Sequence, residues 1–153
     1  MLPAPVSREH TRELMRQADL VVATGSQNNV RAAYESGTPA LGVGAGNVAV
    51  IVDESADLAD AAGKIARSKT FDHATSCSSE NSVIAVDAVA DALAAELAKH
   101  GGVRLSAAEA ALLERTMFAG GRLASVFVAQ SAPAIAALAG LEREACRHAR
   151  FLV

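Results

Sequence analysis

A cysteine flanked by hydroxyl residues is the first position in this sequence that could do covalent chemistry. The segment DHATSCSSENSVIAV places Cys77 after Thr75 and Ser76 and before Ser78 and Ser79, just ahead of an apolar run that predicts a buried strand. A free cysteine is most often a small buried hydrophobic residue, yet hydroxyl neighbours fit an apolar core poorly. A turn here would instead leave backbone N–H groups free to receive an oxyanion. The residues alone leave a packed thiol and a nucleophile as equal alternatives.

Other polar residues near the two cysteines have simpler interpretations. Glu80 and Asn81 fit ordinary turn chemistry, and His73 is expected to be a loop residue rather than a base. Cys146 stands near His148, and such a pair can activate a thiol, but nothing else in the sequence orients this histidine. The surrounding LEREACRHAR is rich in charge, so we interpret it as a solvated surface and Cys146 as an incidental residue.

The composition disfavours several classes of function. The 153 residues include 17 acidic and 14 basic side chains, with a formal net charge of -3 and no basic stripe that would bind nucleic acid. No apolar stretch reaches the roughly 18 to 20 residues that span a bilayer, and the N-terminus lacks the features of a signal peptide. We therefore expect a cytoplasmic protein without a membrane partner. Two distant cysteines predict neither a disulfide framework nor a metal site.

Strand-like and helix-like segments alternate along the chain. Helices are predicted over SQNNVRAAYESG and SAPAIAALAG, and after the capping residues Ser7, Asp57, Asp87 and Ser106, the last of which forms a capping box with Glu109. Strands are predicted for DLVVATG, VAVIV, SVIAVD, ASVFVAQ and ARFLV. This alternation predicts an α/β fold with a mainly parallel sheet flanked by helices.

The glycine cluster in ALGVGAGN has the composition of a phosphate-binding loop but not its context. Gly42, Gly44 and Gly46 precede a strand-like run rather than a helix, and they lack the G-x-G-x-x-G spacing. We expect a tight backbone crossing here, with close approach to some ligand left open.

Three motifs, taken in chain order, resemble the aldehyde dehydrogenase superfamily and in particular its CoA-acylating branch. They are Thr24-Gly25-Ser26, ALGVGAGN and TSCSSENS, and the most specific stretches are AAYESGTPALGVGAGN and SKTFDHATSCSSENSV. These stretches are similar to acylating sulfoacetaldehyde dehydrogenases and to the aldehyde dehydrogenase half of bifunctional alcohol/aldehyde dehydrogenases. The resemblance implies an aldehyde dehydrogenase-like fold that is incomplete at both ends. Residues 1–43 would be the C-terminal part of the dinucleotide-binding domain, and residues 44–153 the N-terminal part of the catalytic domain.

The same resemblance implies the roles of individual residues. Cys77 matches the nucleophile that forms a thioester with the substrate. The predicted cofactor-binding residues, which would border the nicotinamide of NAD or NADP, are Thr24, Gly25, Ser26, Leu41 and Gly42. The substrates would be an aldehyde, with sulfoacetaldehyde favoured, and coenzyme A, in an enzyme that is a homo-oligomer at full length. Because half of the cofactor site and the C-terminal part would be absent, we expect the chain alone to be inactive.

Ala40 distinguishes the acylating branch from the hydrolytic members. In the hydrolytic enzymes the glutamate of the motif E-L-G-G-K-S-P-N matches this position and activates water, whereas an alanine cannot act as a general base. The acyl-enzyme should therefore wait for the thiol of CoA. Two alternatives remain: a non-catalytic remnant or assembly module that associates through its sheet edge, and a water-using dehydrogenase, which Ala40 opposes.

Overall fold

Helices and short parallel strands alternate along the computed structural model, which describes residues 2, 4–44 and 46–153. The helices are α1 (Arg8–Gln17), α2 (Gln27–Glu35), α3 (Leu58–Thr70), α4 (Asp87–Lys99), α5 (Ala107–Met117), α6 (Ala132–Ala139) and α7 (Glu144–Arg147). The strands are β1 (Val21–Thr24), β2 (Ala40–Val43), β3 (Val48–Val52), β4 (Glu80–Ala85), β5 (Gly102–Val103) and β6 (Phe151–Leu152). The chain divides into two compact units, residues 1–46 and 47–153.

The first unit is a strand–helix–strand element preceded by a helix. β1 pairs in parallel with β2, from Val21 opposite Ala40 to Thr24 opposite Val43. α2 connects the two strands, and its N-cap Ser26 accepts a 3.3 Å hydrogen bond from the Asn29 N–H. The buried residues that hold this unit together are Val21, Ala23, Val30 and Ala33.

The second unit begins with another strand–helix–strand element. β3 pairs in parallel with β4, and α3 connects them after its predicted N-cap, Asp57, whose Oδ1 accepts a 3.0 Å hydrogen bond from the Asp60 N–H. α4 packs beside α3 over one face of this strand pair. The core between them is apolar and closely packed; its buried members are Val52, Ala62, Ile65, Ala66, Leu93, Leu97 and Phe151.

The remainder of the second unit has its own core around α5, α6 and α7. β5 pairs in parallel with β6, and α5 begins with the predicted capping box between Ser106 and Glu109. α6 ends at Gly140 in the left-handed conformation that favours glycine. The buried cluster consists of Phe127, Ala136, Ala139, Leu141 and Cys146.

The strand pairing confirms the predicted fold class. β1–β2, β3–β4 and β5–β6 are all parallel ladders, and helices cover one face of the first two pairs. The opposite face is apolar and exposed in both pairs, with Val22 and Leu41 in the first unit and Ile51 and Ile84 in the second. Parallel sheets are normally covered on both faces, so these bare faces are places where further protein would pack.

The prediction of a strand over ASVFVAQ is wrong. Ser125–Phe127 form a 3₁₀ turn, and Ala129 has a left-handed φ of 58°. The run of apolar residues resembles a buried strand in sequence, but only Phe127 is buried in the core, whereas Val126 and Val128 are exposed.

Two further sequence-based expectations are corrected. Asp87 does not cap α4: the N-cap is Val86, which makes no side-chain cap bond, and Asp87 is the first helical residue. The stretch LEREACRHAR is not simply a solvated surface, because Leu141, Cys146 and Ala149 are buried between exposed charged residues. Within the described residues, none of the helices has the length and apolar character needed to cross a bilayer.

Candidate active site

Cys77 lies at the corner of a tight turn directly before β4. The Ser79 N–H donates a 3.1 Å hydrogen bond to the Ser76 carbonyl, which makes Cys77 and Ser78 the two central residues of the turn. The Ser76 and Ser78 hydroxyls are 2.8 Å apart, and the Ser78 N–H donates to Ser76 Oγ at 3.3 Å. Ser79 is buried and anchors the turn, while Cys77 is exposed. The hydroxyl residues around the cysteine therefore build a turn and not a core.

The segment before this turn has an unusual backbone. Asp72, His73 and Ala74 have consecutive φ values of 48°, 51° and 58°. Left-handed conformations are unfavourable for residues with a Cβ, although Asp and His tolerate them better than Ala. The Thr75 hydroxyl holds the segment by donating to the Asp72 carbonyl at 2.7 Å and to Asp72 Oδ2 at 2.6 Å. Such strain is found at functional sites when the surrounding structure enforces it.

The backbone N–H of Cys77 is available to a ligand. It donates no hydrogen bond to any residue that the structure describes, whereas the N–H groups of Ser78 and Ser79 are occupied within the turn. A free N–H on the nucleophile's own residue is a suitable donor to an oxyanion that forms on the attached carbon.

Two charged residues lie on either side of the cysteine turn in the chain, Lys69 before it and Glu80 directly after it. Lys69, in the last turn of α3, is half-buried, and its Nζ donates to Asn81 Oδ1 at 3.4 Å. Burial lowers the pKa of the Lys69 ammonium, and the negative charge of Glu80 opposes that shift. Glu80 is the first residue of β4, so it is part of the strand and not of the turn in which we expected it.

A cavity of about 480 Å³ in the second unit is lined in part by the residues that precede the cysteine turn. Lys69 and Arg150 contribute cationic side chains to its lining, His73 contributes an imidazole, and Leu113 and Met117 are among its apolar residues. The Arg150 guanidinium is held by hydrogen bonds to the His100 carbonyl and the Thr70 hydroxyl, each 3.3 Å long. This cavity suits a partly apolar anion better than a cation.

The threonine-glycine-serine motif lies at the carboxyl edge of the β1–β2 pair. Thr24 is the last residue of β1 and lies opposite Val43, Gly25 has a left-handed φ of 104°, and Ser26 caps α2. The Gly25 N–H donates a 3.2 Å hydrogen bond to the Val43 carbonyl. Ligands of open parallel sheets bind at this edge, next to helix N-termini.

Leu41 and Gly42 lie on opposite faces of β2. Leu41 is exposed on the bare face, whereas Gly42 faces α2, where its N–H donates to the Tyr34 hydroxyl at 3.1 Å. The missing side chain of Gly42 thus makes room for α2, and only its backbone could contact a cofactor. Ala40 begins β2 and packs against the core of the first unit, so a carboxylate there would replace a partly buried methyl group.

Cys146 and His148 do not resemble a nucleophile and its base. Cys146 is 0% exposed among apolar residues. His148 is exposed, and its Nε2 lies 3.0 Å from Glu144 Oε1. Cys146 is therefore a core residue, and its apolar environment keeps the thiol inert.

The fold is similar to that of one class of enzymes, the aldehyde dehydrogenases. The structure matches that of an acetylating aldehyde dehydrogenase from Geobacillus thermoglucosidasius with a TM-score of 0.88 and 36% identity, over 95% of this chain and 32% of that one. No protein-family model matches the chain.

The sequence relatives narrow this similarity to the acylating branch. An acylating sulfoacetaldehyde dehydrogenase from Cupriavidus necator is 66% identical over 143 residues, which are 94% of this chain and 29% of that protein. A bifunctional aldehyde-alcohol dehydrogenase from Escherichia coli is 44% identical over 136 residues, 88% of this chain and 15% of that protein. The predicted resemblance is therefore confirmed, and the chain spans about 29% of the length of the first of these relatives.

Two other solved structures contain the expected ligands. A propionaldehyde dehydrogenase from Rhodopseudomonas palustris with bound propionyl-CoA has a TM-score of 0.84 and 31% identity, over 95% of this chain and 33% of that one. An engineered glycolyl-CoA reductase with bound NADP+ has a TM-score of 0.83 and 29% identity, over 95% of this chain and 38% of that one.

The sequence-based prediction missed Lys69 as a neighbour of the cysteine turn. It stands in SKTF at the end of a predicted helix, where a lysine is ordinary because it favours the helix dipole. Only the return of the chain into β4 brings Asn81 within hydrogen-bonding distance of its ammonium.

Proposed function

We propose that this chain is part of a CoA-acylating aldehyde dehydrogenase in which Cys77 carries the acyl group as a thioester. The observation that supports this proposal best is the exposed thiol at the corner of the turn formed by residues 76–79. The chain that contains this turn is 66% identical to an acylating enzyme over 143 residues. A cysteine with a structural role would be buried, as Cys146 is.

The chemistry follows from the groups at the turn. The Cys77 thiolate attacks the aldehyde carbon, a C–S bond forms, and the carbonyl oxygen becomes an oxyanion that can accept a hydrogen bond from the free Cys77 N–H. The carbon then loses hydride as the carbonyl reforms, which leaves a thioester. The sulfur of CoA, whose thiol proton passes to solvent, then attacks the acyl carbon, and the bond between that carbon and the Cys77 sulfur breaks; acyl-CoA leaves and Cys77 returns as a thiolate.

The first unit would supply part of the cofactor site. The segment from Thr24 to Ser26 offers a side chain, a left-handed glycine and a helix N-terminus at the carboxyl edge of the β1–β2 pair, which fits a dinucleotide. Leu41 would present its exposed side chain and Gly42 its backbone to the ring. NAD(P)+, when bound, accepts the hydride from the substrate carbon. In this proposal residues 1–43 come from the dinucleotide-binding domain and residues 44–153 from the catalytic domain.

Ala40 supports transfer to CoA rather than to water. It has no group that could remove a proton from water, and its methyl group is partly buried. The thioester on Cys77 would then persist until a thiol arrives. The names of the relatives agree with this assignment, since the sulfoacetaldehyde enzyme is named as acylating and the Geobacillus enzyme as acetylating.

Sulfoacetaldehyde is the substrate that we propose. Its support is the identity of 66% to an enzyme named for that aldehyde. Its sulfonate needs cationic or N–H donors, and the cavity lined by Lys69, His73 and Arg150 offers such groups in the second unit.

The test is a product analysis on the polypeptide that carries this segment in the cell. It is supplied with sulfoacetaldehyde, CoA and NAD+ or NADP+, and the products are separated by liquid chromatography. We expect acyl-CoA and reduced cofactor, no acyl-CoA with Cys77→Ser, and retained activity in the matched control Cys146→Ala. Free acid formed without CoA would instead favour the water-using enzyme, and acyl-CoA formed by Cys77→Ser would overturn the proposal. The 153-residue chain alone is expected to be inactive, as it spans 29% of its relative.

A non-catalytic assembly module is the alternative that one observation favours. The uncovered sheet faces carry large apolar side chains, with Val22 69% and Ile51 76% exposed. Such faces would be buried against other protein, either in a larger subunit or in a homo-oligomer of the enzyme. In this case Cys77→Ser leaves binding of the chain to its partner unchanged, whereas Val22→Asp and Ile51→Asp weaken it. Loss of binding in Cys77→Ser would contradict the alternative.

A further inference from the structure

Glu80 has a carboxylate oxygen for which the described structure provides no partner. Its Oε2 is enclosed, and it accepts no hydrogen bond from any residue that the structure describes. Enclosed acceptors are almost always paired, because loss of water without a replacement is costly. Glu80 follows the cysteine turn directly, so an unpaired charge at this place requires an explanation.

The Lys69 ammonium, which bonds to the residue next to Glu80, is the candidate for a partner. It is half-buried at the end of α3, and the charge of Glu80 acts on it strongly enough to oppose the effect of burial on the Lys69 pKa. Yet its one hydrogen bond within the described residues goes to Asn81 Oδ1, at a long 3.4 Å. The carboxylate of Glu80 belongs to the residue adjacent to this amide and is the stronger acceptor for an ammonium.

The backbone at the start of β4 favours this exchange. Val48 lies opposite Glu80, but Ala49 lies opposite Ser82, so Asn81 is the extra residue of a β-bulge. A bulge changes the direction of side chains relative to a regular strand and is common next to active sites. Here it lies between Glu80 and Ser82, at the residue whose amide oxygen accepts from Lys69.

We propose that Lys69 and Glu80 form a charge pair that positions the Cys77 turn. Lys69 precedes the left-handed segment and Glu80 follows the turn, so the pair joins the two ends of the loop that carries the thiol. Neither residue contacts a reacting atom; both act through the loop. This inference rests on the proposed role of Cys77 as the nucleophile.

Other charges surround the pair and enter the expected result. Arg150, just before β6, donates a hydrogen bond to the Thr70 hydroxyl, next to Lys69, and His73 lies in the loop itself. Arg150 adds positive charge on the Lys69 side. The Asp72 carboxylate is already engaged by the Thr75 hydroxyl. Glu80 is therefore the carboxylate of this group whose Oε2 lacks a partner among the described residues, and its removal should release the loop as removal of Lys69 does.

The test measures the rate at which iodoacetamide alkylates Cys77 in the 153-residue chain as a function of pH. Lys69→Met and Glu80→Gln are each expected to change the rate at pH 7 and to move its midpoint in the same direction, towards that of the urea-unfolded chain, because either substitution breaks the pair that holds the loop. In Lys69→Met/Glu80→Gln the rate should differ from the product of the single effects by about threefold or more, because the two sites are coupled. Lys69→Arg should restore the wild-type profile.

Controls separate this result from a general loss of structure. Lys64→Met removes an exposed lysine of the same helix, which pairs with Asp60, and should leave the profile unchanged. Buried Cys146 reports folding, because its alkylation accelerates in any variant that unfolds. If Glu80→Gln unfolds by this measure, Glu80→Asp is used in its place. Multiplicative single effects, or midpoints that move in opposite directions as they would for two independent charges, would overturn the proposal. The rates report on the thiol without turnover, so failure of the catalytic proposal would appear separately in the product analysis.

Discussion

Gly42 lies directly beneath Tyr34. The Gly42 N–H donates a 3.1 Å hydrogen bond to the Tyr34 hydroxyl, and a Cβ on Gly42 would lie 2.8 Å from Tyr34 Cε2 and 2.6 Å from Val30 Cγ1. Helix α2 therefore uses the space left by the missing side chain to pack on β2. The motif associates Gly42 with a cofactor, but the packing of α2 on β2 by itself requires a glycine at this position.

Gly42→Ala should destabilise the first unit by about 1–3 kcal/mol, because the new methyl group overlaps side chains that the packed helix holds in place. Tyr34 is the single tyrosine of a chain without tryptophan, so its fluorescence during urea unfolding reports on this unit. Gly44→Ala is the matched control, since its Cβ would meet the flexible Gln27 side chain. Equal unfolding midpoints for the two variants would contradict the packing argument.

The two thiols should react at very different rates in the folded chain. Cys77 is exposed at a turn, whereas Cys146 is 0% exposed and must wait for local opening, so we expect a ratio of roughly 100 or more. Mass spectrometry after timed exposure to iodoacetamide measures both sites in the same sample. In concentrated urea the rates should converge. Equal rates without urea would remove Cys77 as the nucleophile.

The capping box of α5 should make stability depend on pH. The Ser106 N–H, with help from the Ser106 hydroxyl and Arg143, holds the pKa of Glu109 below its ordinary value of 4.5. Because the folded pKa is the lower one, the stabilisation is complete above 4.5 and disappears as the pH falls through the folded pKa. Glu109→Gln should lower the free energy of unfolding at pH 7 and converge with wild type in acid.

Denaturant unfolding at several pH values checks the Glu109 prediction. Glu114→Gln changes a carboxylate on the exposed side of the same helix and should stay within about 0.5 kcal/mol of wild type. Ser106→Ala should cost about 1 kcal/mol, since it removes the other half of the box. A Glu109→Gln deficit that persists unchanged in acid would mean that its effect is not electrostatic.

Phe127 should be the main anchor of the segment that resembles a strand in sequence. It is 5% exposed in the second core, so Phe127→Ala should cost about 3–5 kcal/mol. Val126→Ala should stay within about 0.5 kcal/mol, as the neighbouring valine is exposed. Thermal unfolding followed by circular dichroism measures both. Similar losses for the two variants would indicate that the segment is packed on both sides.

Ala74→Gly should stabilise the protein although it adds flexibility to the unfolded chain. Replacing an alanine held in the left-handed conformation should raise the free energy of unfolding by about 1–2 kcal/mol, and the greater freedom of glycine in the unfolded chain should lower it by about 0.5–1 kcal/mol. The expected net gain is modest, and it contrasts with Ala61→Gly inside α3, which should cost about 1 kcal/mol. Urea unfolding compares them, and a loss in both variants would show that Ala74 is not strained.

The local elements were predictable because their causes are local. Ser7, Ser26 and Asp57 cap helices with side chains that bond to backbone groups three residues on, and such bonds need no other part of the chain. The parallel pairing also followed from the alternation of elements, since parallel strands need a crossover. The segment over Phe127 was not predictable, because apolar composition does not reveal which residue faces a core.

The sequence by itself determined the position and neighbours of Cys77, and the hydroxyl residues around it already opposed a core location. Only the tertiary structure decided that these residues close a turn after three left-handed residues, and that Cys146 lies in a core despite its charged surroundings. It also decided that Lys69 meets Asn81 beside Glu80, whose Oε2 has no partner among the described residues. The physical reason is that burial and charge pairing depend on the return of distant segments, which no short window of sequence contains.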